Sequence, residues 1–178
     1  MTRVALVSAV FAAAALGIGG RPAAAEDRKP AVRVGIFDSR AVALAYARSG
    51  EVERSMKAVR DDFEKAKAAK DEKRMKELEN EGAWTQVRLH QQAFSTATVS
   101  SILAKVKDKF PAIARDAGVV MIVSKWEVQF KDPAIETVDL TLPMVQLFHP
   151  SEQVLKWIEQ MKDQKPVPFE ELPLDPNI

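Results

Sequence analysis

The amino-acid sequence predicts an α+β fold in which a small β-sheet body carries an inserted long α-helical hairpin. Two stretches about eighty residues apart, 32–37 and 118–130, show apolar runs and two-residue alternation typical of strands. Between them, apolar residues recur at helical spacing among many charged residues. The strands can pair in one sheet if the intervening helices run outward and return.

The N-terminal residues 1–25 have the parts of an export signal. A positive start and a short apolar core over residues 4–20 precede small residues at Ala23 and Ala25, ahead of a cleavage site. The core is short for a membrane-spanning helix. We therefore expect a signal peptide at 1–25 and an exported, soluble protein with one domain over residues 26–163.

The composition limits the possible classes of protein. The chain has no cysteine, so disulfides do not stabilise its fold. Its 26 basic residues nearly balance its 25 acidic ones, which argues against a dedicated nucleic-acid binder. A charged fraction of 29% indicates an elongated protein with much solvated helix.

The first predicted strand, residues 32–37, places Val34 and Ile36 on one face, and Asp38 and Ser39 follow as a helix cap. The helical sequence beyond them contains an apolar seam with heptad spacing. The seam consists of Val52, Met56, Val59, Phe63 and Ala66. One narrow apolar stripe cannot form a core alone, so this helix requires a partner helix.

The return of the hairpin has two candidate positions. We favour a turn near Lys70 and Asp71, with Asp71 capping the return helix, because the seam loses its phase there. A turn at Asn80–Gly82 is the alternative. The hairpin spans about residues 39–117, and arms of about thirty residues would project about 45 Å. A break is expected at residues 93–99, where serine and threonine compete with helical hydrogen bonds.

The closing segment is predicted to form strands at about 119–124 and 126–130, with Trp126, Val128 and Phe130 on one face. Together with the first strand, this segment supplies the candidate core or subunit interface. The candidates are Val34, Ile36, Val120, Ile122, Trp126, Val128 and Phe130.

The C-terminal region is predicted to begin with a helix that Asp139 or Thr141 caps and that holds Pro143 in its first turn. A second helix starts at Ser151. Residues 164–178 contain four prolines and are expected to form an extended tail.

The stretches "VRVGIFDSRAVA" and "IARDAGVVMIVSKWEVQFKDPAIETVDLT", with the charged hairpin between them, resemble the Skp/OmpH family of periplasmic chaperones. The likeness covers about residues 32–149. It implies a trimer in which strands of three chains build a small body and three helical arms surround a cavity. It also implies a periplasmic holdase that binds unfolded exported or outer-membrane proteins without ATP.

Two features depart from that family. Its arms tend to be strongly basic, whereas residues 50–81 here hold nine basic and ten acidic residues. The Ser151 helix and the proline-rich tail are additions. They favour an alternative function, a non-chaperone periplasmic scaffold or adaptor that docks a folded partner through this helix and tail.

The sequence offers contact residues, and we expect no enzyme, cofactor or metal site. His90 and His149 each lack a second ligand at helical spacing. Trp84 is a candidate for apolar contact with a client, against ordinary helix packing. Basic residues near the first candidate tip are candidates for contact with acidic client segments or an anionic membrane surface, against a solvated face. They are Lys70, Lys73, Arg74 and Lys76.

Overall fold

The computed structural model describes residues 32–172. The predicted signal peptide and residues 173–178 of the predicted tail lie outside this range. The elements follow one another as β1 (Arg33–Phe37), α1 (Ser39–Ala47), α2 (Gly50–Ala68), α3 (Glu72–Phe94), α4 (Ser100–Leu103), a 3₁₀ turn (Lys107–Lys109), α5 (Phe110–Ala117), β2 (Met121–Ser124), β3 (Glu136–Asp139), α6 (Thr141–Gln146), α7 (Glu152–Met161) and a 3₁₀ turn (Phe169–Glu171). This mixture of helices and a small sheet confirms the broad α+β class.

The sheet has three strands in the order β2-β1-β3, and both pairs are parallel. Val34 lies opposite Met121 in one pair and opposite Thr137 in the other. The predicted pairing of the first strand with the segment after residue 119 is therefore confirmed. Parallel neighbours require long crossover connections, and helices α1 to α5 supply the one between β1 and β2.

The predicted strand at residues 126–130 is wrong, because these residues form a turn and a loop. Pairing of β2 ends when the Lys125 N–H donates to the Phe37 carbonyl, after which the chain leaves that edge of the sheet. It crosses to the other side of β1, where β3 pairs instead. The alternation of Trp126, Val128 and Phe130 therefore belongs to a crossover loop that the sequence pattern alone does not distinguish from a strand.

The core lies on one face of the sheet, where α5 and α6 contact the strands, and it extends around helix α1. Ala41, Val42, Ala43 and Ala45 are almost completely buried, and they pack with α3, α6 and α7. A helix that is apolar around most of its circumference is buried. Helix α1 consequently belongs to the body, and the predicted hairpin of 39–117 is too long: the hairpin consists of α2 and α3, residues 50–94.

The hairpin turns at Lys70 and Asp71, which confirms the favoured position. The Asp71 carboxylate accepts a hydrogen bond of 2.9 Å from the Arg74 N–H and caps α3. The alternative at Asn80–Gly82 is wrong, since these residues lie within α3. Helix α2 has 19 residues, so the arm extends about 28 Å and is shorter than the predicted 45 Å.

The remaining helix boundaries largely follow the predicted signals. Residues 95–99 interrupt the helical sequence as expected. Thr141 begins α6, and the Asp139 carboxylate accepts a hydrogen bond from its N–H. The Ser151 hydroxyl caps α7 by accepting from the Val154 N–H. Across residues 32–172, no helix has the length and apolar character to cross a membrane.

The tail lies against the body where it is described. The Val167 N–H donates a 2.8 Å hydrogen bond to the carbonyl of Phe94, at the end of α3. The first part of the predicted extended tail is therefore tied to the helical body, and it includes a 3₁₀ turn at Phe169–Glu171.

Gly35, in the middle of β1, allows Leu140 to approach the sheet closely. A β-carbon at this position would collide with the buried Leu140 side chain and would lie 3.3 Å from the Met121 carbonyl oxygen. We expect Gly35→Ala to lower the free energy of unfolding by about 1–3 kcal/mol in urea denaturation, because the packing leaves no room.

Gly82→Ala is the matched control for this substitution. No atom lies within 4 Å of a β-carbon at Gly82, which is inside α3. We expect this change to raise stability by about 0.5–1 kcal/mol through helix propensity. Equal effects of the two substitutions would contradict the packing assigned to Gly35.

Candidate functional site

A buried carboxylate, Asp38, lies at the C-terminal end of the central strand β1. It accepts hydrogen bonds from Arg40 Nε at 3.1 Å and Arg40 Nη2 at 2.8 Å. Trp126 Nε1 donates to it at 2.8 Å, and Lys125 Nζ lies 3.0 Å from its Oδ2 atom. Asp38 and Arg40 are only 3% and 2% exposed, so this is a buried ion pair. We call these four residues the Asp38 cluster.

The Asp38 cluster connects all three strand ends. Asp38 follows β1, whereas Lys125 and Trp126 follow β2. The Asp38 N–H also donates to the hydroxyl of Thr141, which follows β3. The Trp126 ring is in contact with two cations, the guanidinium of Arg40 at 4.7 Å and the ammonium of Lys125 at 4.5 Å.

The surroundings of Asp38 lower its pKa. Burial by itself raises the pKa, but hydrogen bonds from Arg40, Trp126 and Lys125 together outweigh burial and lower the pKa to about 2, against an ordinary value of 3.8. Asp38 is therefore an anion whose oxygens already accept hydrogen bonds. These bonds hold the end of β1 next to Lys125 and Trp126. The sequence indicated the capping role of Asp38, since it accepts from the Arg40 N–H, but gave no sign of Lys125 or Trp126 as partners.

The second face of the sheet is open, in contrast to the face that α5 and α6 contact. Val34, Ile36, Met121 and Val123 point to this open face and form the floor of a groove of about 790 Å³. The crossover loop borders the groove with Val128, Phe130 and Ile135. Phe130 is 82% exposed, which is unusual for a large aromatic side chain. We call this region the open sheet face.

The structure divides the seven predicted core or interface residues. Val34, Ile36, Val128 and Phe130 meet at the open sheet face. The other three are separate from it. Ile122 packs towards the helical core, Trp126 lies in the Asp38 cluster, and Val120 precedes β2 with 76% of its surface exposed. Residues with the same apolar pattern therefore lie in four different environments.

The helical arm also exposes apolar surface. On α2, Ala66 is the one buried residue, and the rest of the predicted seam is half-buried. Val59 and Phe63 face Leu78 of α3 across a shallow groove of about 400 Å³. Trp84, on the returning helix, is 56% exposed.

The predicted basic residues lie at the tip of this arm. Lys70 is in the turn, and the others are in the first turns of α3. Lys73, Arg74 and Lys76 are exposed, and Arg74 pairs with Glu77 at 3.1 Å. Trp84 is eight residues beyond Lys76, about 12 Å along the helix, so the structure does not bring it into the basic cluster.

The two histidines stay apart from each other. His90 packs edge-on against Phe94 at 5.6 Å, and His149 lies in the turn after α6. In residues 32–172, no group of three histidine, aspartate or glutamate side chains is arranged to hold a metal ion.

No family model matches this chain, and neither the curated proteins nor the solved structures include a significant match. The function is therefore inferred from the exposed surfaces of the protein. They are the exposed apolar face of the parallel sheet and the half-buried seam of the two-helix arm. The arm is joined to a body whose strand ends meet at the Asp38 cluster.

Acid should weaken the fold through Asp38. Because its folded pKa is lower than its unfolded pKa, its contribution is fully present above about pH 4 and is lost as the pH falls towards 2. We expect a loss of about 2 kcal/mol of unfolding free energy over this range, measured by urea denaturation.

Asp38→Asn should remove this part of the pH dependence. It should also cost about 3–5 kcal/mol at neutral pH, since the buried Arg40 then lacks its carboxylate. Superimposable pH profiles of the Asp38→Asn variant and the unaltered protein would show that Asp38 does not carry the effect.

Proposed function

We propose that this protein is a periplasmic holdase chaperone that binds unfolded exported or outer-membrane proteins without ATP. The resemblance of its sequence to the Skp/OmpH family motivates the proposal. The observation that carries it is the two-helix arm, α2 and α3, which extends from between two adjacent strands with an incompletely buried apolar seam.

A half-buried seam suits reversible retention of an unfolded chain. Apolar surface gains about 25 cal/mol for each Å² removed from water, so several partly exposed side chains together supply useful affinity. Val59, Phe63 and Trp84 are such side chains. No single contact is strong, and release therefore requires no input of chemical energy.

The near balance of charges on the arm indicates that clients would bind mainly through apolar contacts. Lys57 pairs with Asp61 and Lys65 pairs with Asp62 along α2. These exposed pairs partly neutralise the arm internally and contribute little free energy. The basic residues at the tip, including Lys70 and Lys73, are then suited to weak additional contact with acidic client segments or an anionic membrane surface.

The open sheet face supports self-association. Parallel sheets are normally covered on both faces, whereas here helices cover one. Val34, Ile36, Met121 and Val123 would be buried if copies of the chain packed together through this face. A trimer is the state that the family resemblance implies, and it would place several arms around one space.

Phe130→Glu should disrupt this assembly, because a carboxylate in an apolar interface would lose its hydration. We expect light scattering to give a multiple of the monomer mass for the unaltered protein and the monomer mass for the variant. Leu142→Glu is the control, since Leu142 is 54% exposed on α6 and does not line the open sheet face. A monomer at all concentrations of the unaltered protein would contradict the assembly.

Client binding is tested by diluting a denatured outer-membrane barrel protein into buffer with the purified protein. We expect suppression of its aggregation, and we expect Trp84→Gln to weaken the apparent affinity about fivefold, equivalent to about 1 kcal/mol of apolar contact. Phe169→Gln is the matched control, because Phe169 is an exposed aromatic residue of the tail. Aggregation as in buffer alone would overturn the proposal.

A second candidate is a periplasmic adaptor that docks a folded partner through α7 and the tail. The bond between Val167 and Phe94 favours it, because the tail is held in a defined place on the body. Deletion of residues 164–178, which retains α7, separates the two functions. Holdase activity survives this deletion, whereas binding by an adaptor tail does not.

A further inference from the structure

A small groove, here called the tail groove, lies between α1, the end of α3, α7 and the first part of the tail. Its volume is about 340 Å³. Leu44, Phe94, Trp157, Met161 and Val167 provide apolar walls. It is separate from the open sheet face and from the exposed arm surface around Trp84.

The walls of the tail groove are accessible and fixed in place. Phe94, Trp157 and Val167 each remain partly exposed although they meet at one place. The hydrogen bond from the Val167 N–H to the Phe94 carbonyl holds the tail across the end of α3. The groove is therefore a built feature with an aromatic lining, which suits an apolar or aromatic group of a ligand.

The charged residues that line the groove are all basic. They are Arg40, Arg48 and Lys165, and no aspartate or glutamate of residues 32–172 lines it. Asp38 neutralises Arg40. Neither Arg48 nor Lys165 forms an ion pair with another residue of the described range, so two positive charges are available to a ligand.

Arg48 lies against the aromatic ring of Trp157. Its guanidinium lies 5.3 Å from the centre of the Trp157 ring. Contact with an aromatic face restrains the guanidinium and leaves its in-plane N–H groups free to donate. Paired N–H donors of this kind match the two oxygens of a carboxylate.

We propose that the tail groove binds the C-terminal carboxylate of a peptide whose last residue is apolar or aromatic. The carboxylate pairs with Arg48 and Lys165, and the terminal side chain packs against Phe94 and Trp157. Gln160 also lines the groove, and in this proposal its side-chain amide hydrogen-bonds the last peptide group. This site goes beyond the proposed holdase function and does not rest on it.

The size of the groove favours a chain terminus as occupant. Its volume is at the lower end of the range for small-ligand sites, about 300–1,000 Å³. Such a space accepts a terminal residue but not a folded surface. The combination of an apolar wall, two cations and a free amide corresponds to the side chain, carboxylate and peptide group of one terminal residue.

The test uses the purified full chain with ¹⁵N label and follows its three tryptophan indole N–H signals by NMR. The probe is N-acetyl-Ala-Ala-Phe with a free carboxylate, and the matched ligand is the same peptide as its C-terminal amide. The Trp157→Phe variant assigns the Trp157 signal. We expect saturable displacement of that signal by the acid, with little change at Trp84, and at least tenfold weaker binding of the amide.

Variants identify the cations. Arg48→Gln together with Lys165→Gln should weaken binding of the acid at least tenfold, consistent with charge-assisted hydrogen bonds. Lys156→Gln is the control, since Lys156 is an exposed neighbour of Trp157 that does not line the groove. Circular dichroism and thermal unfolding establish that each variant is folded.

Four results would overturn the proposal. They are no displacement of the Trp157 signal at millimolar acid, equal binding of acid and amide, unchanged binding by the folded Arg48 and Lys165 double variant, and equal binding of 3-phenylpropionate and the peptide. The last result would assign the groove to small aromatic acids instead of peptide termini.

Discussion

The buried carboxylate of Asp38 is the constraint on which the rest of the structure depends. A three-stranded parallel sheet is held by few ladder hydrogen bonds, and its strands are connected by long excursions of the chain. Asp38 fixes the points where these excursions meet, because it binds Arg40 of its own helix and Lys125 and Trp126 from the neighbouring strand end. Burial penalises the charge, and the surrounding donors outweigh that penalty.

With the strand ends fixed in this way, the molecule divides into a packed side and exposed sides. Helix α1 packs its alanine and valine side chains among α3, α6 and α7, and Gly35 permits Leu140 to approach the sheet closely. The opposite face retains a continuous apolar floor. The same chain therefore stabilises its body with one face of the sheet and leaves the other as an exposed apolar surface.

The arm follows a different physical rule. Two helices in contact bury only the residues directly between them, and a pair without a third layer leaves the flanks of its seam in water. Ala66, Leu78 and Val87 are buried, whereas Val59 and Phe63 are not fully covered. Incomplete burial limits how much the arm stabilises itself, and it leaves apolar surface exposed to water.

The helix caps, the first strand and the hairpin turn could be predicted from the sequence, because each depends on residues only a few positions apart. The caps at Asp71 and Ser151 depend on neighbouring backbone groups, and the first strand, predicted at residues 32–37, depends on the two-residue period of its side chains. The turn at Lys70 was predicted for the same reason, since a turn is the simplest cause of the change of phase in the seam.

Tertiary structure alone decided which apolar segments became sheet, body or surface. The alternation at residues 126–130 fits a strand, yet the pairing of Trp126 with Asp38 and of β3 with β1 makes this segment a loop. Helix α1 continues the helical sequence of the arm, yet its small side chains allow it to enter the core. The tail groove joins residues more than a hundred positions apart. Whether an apolar segment joins the sheet, the body or the surface depends on which distant segments can bury the most apolar area against it. A pattern within a few neighbouring residues carries no information about those distant segments.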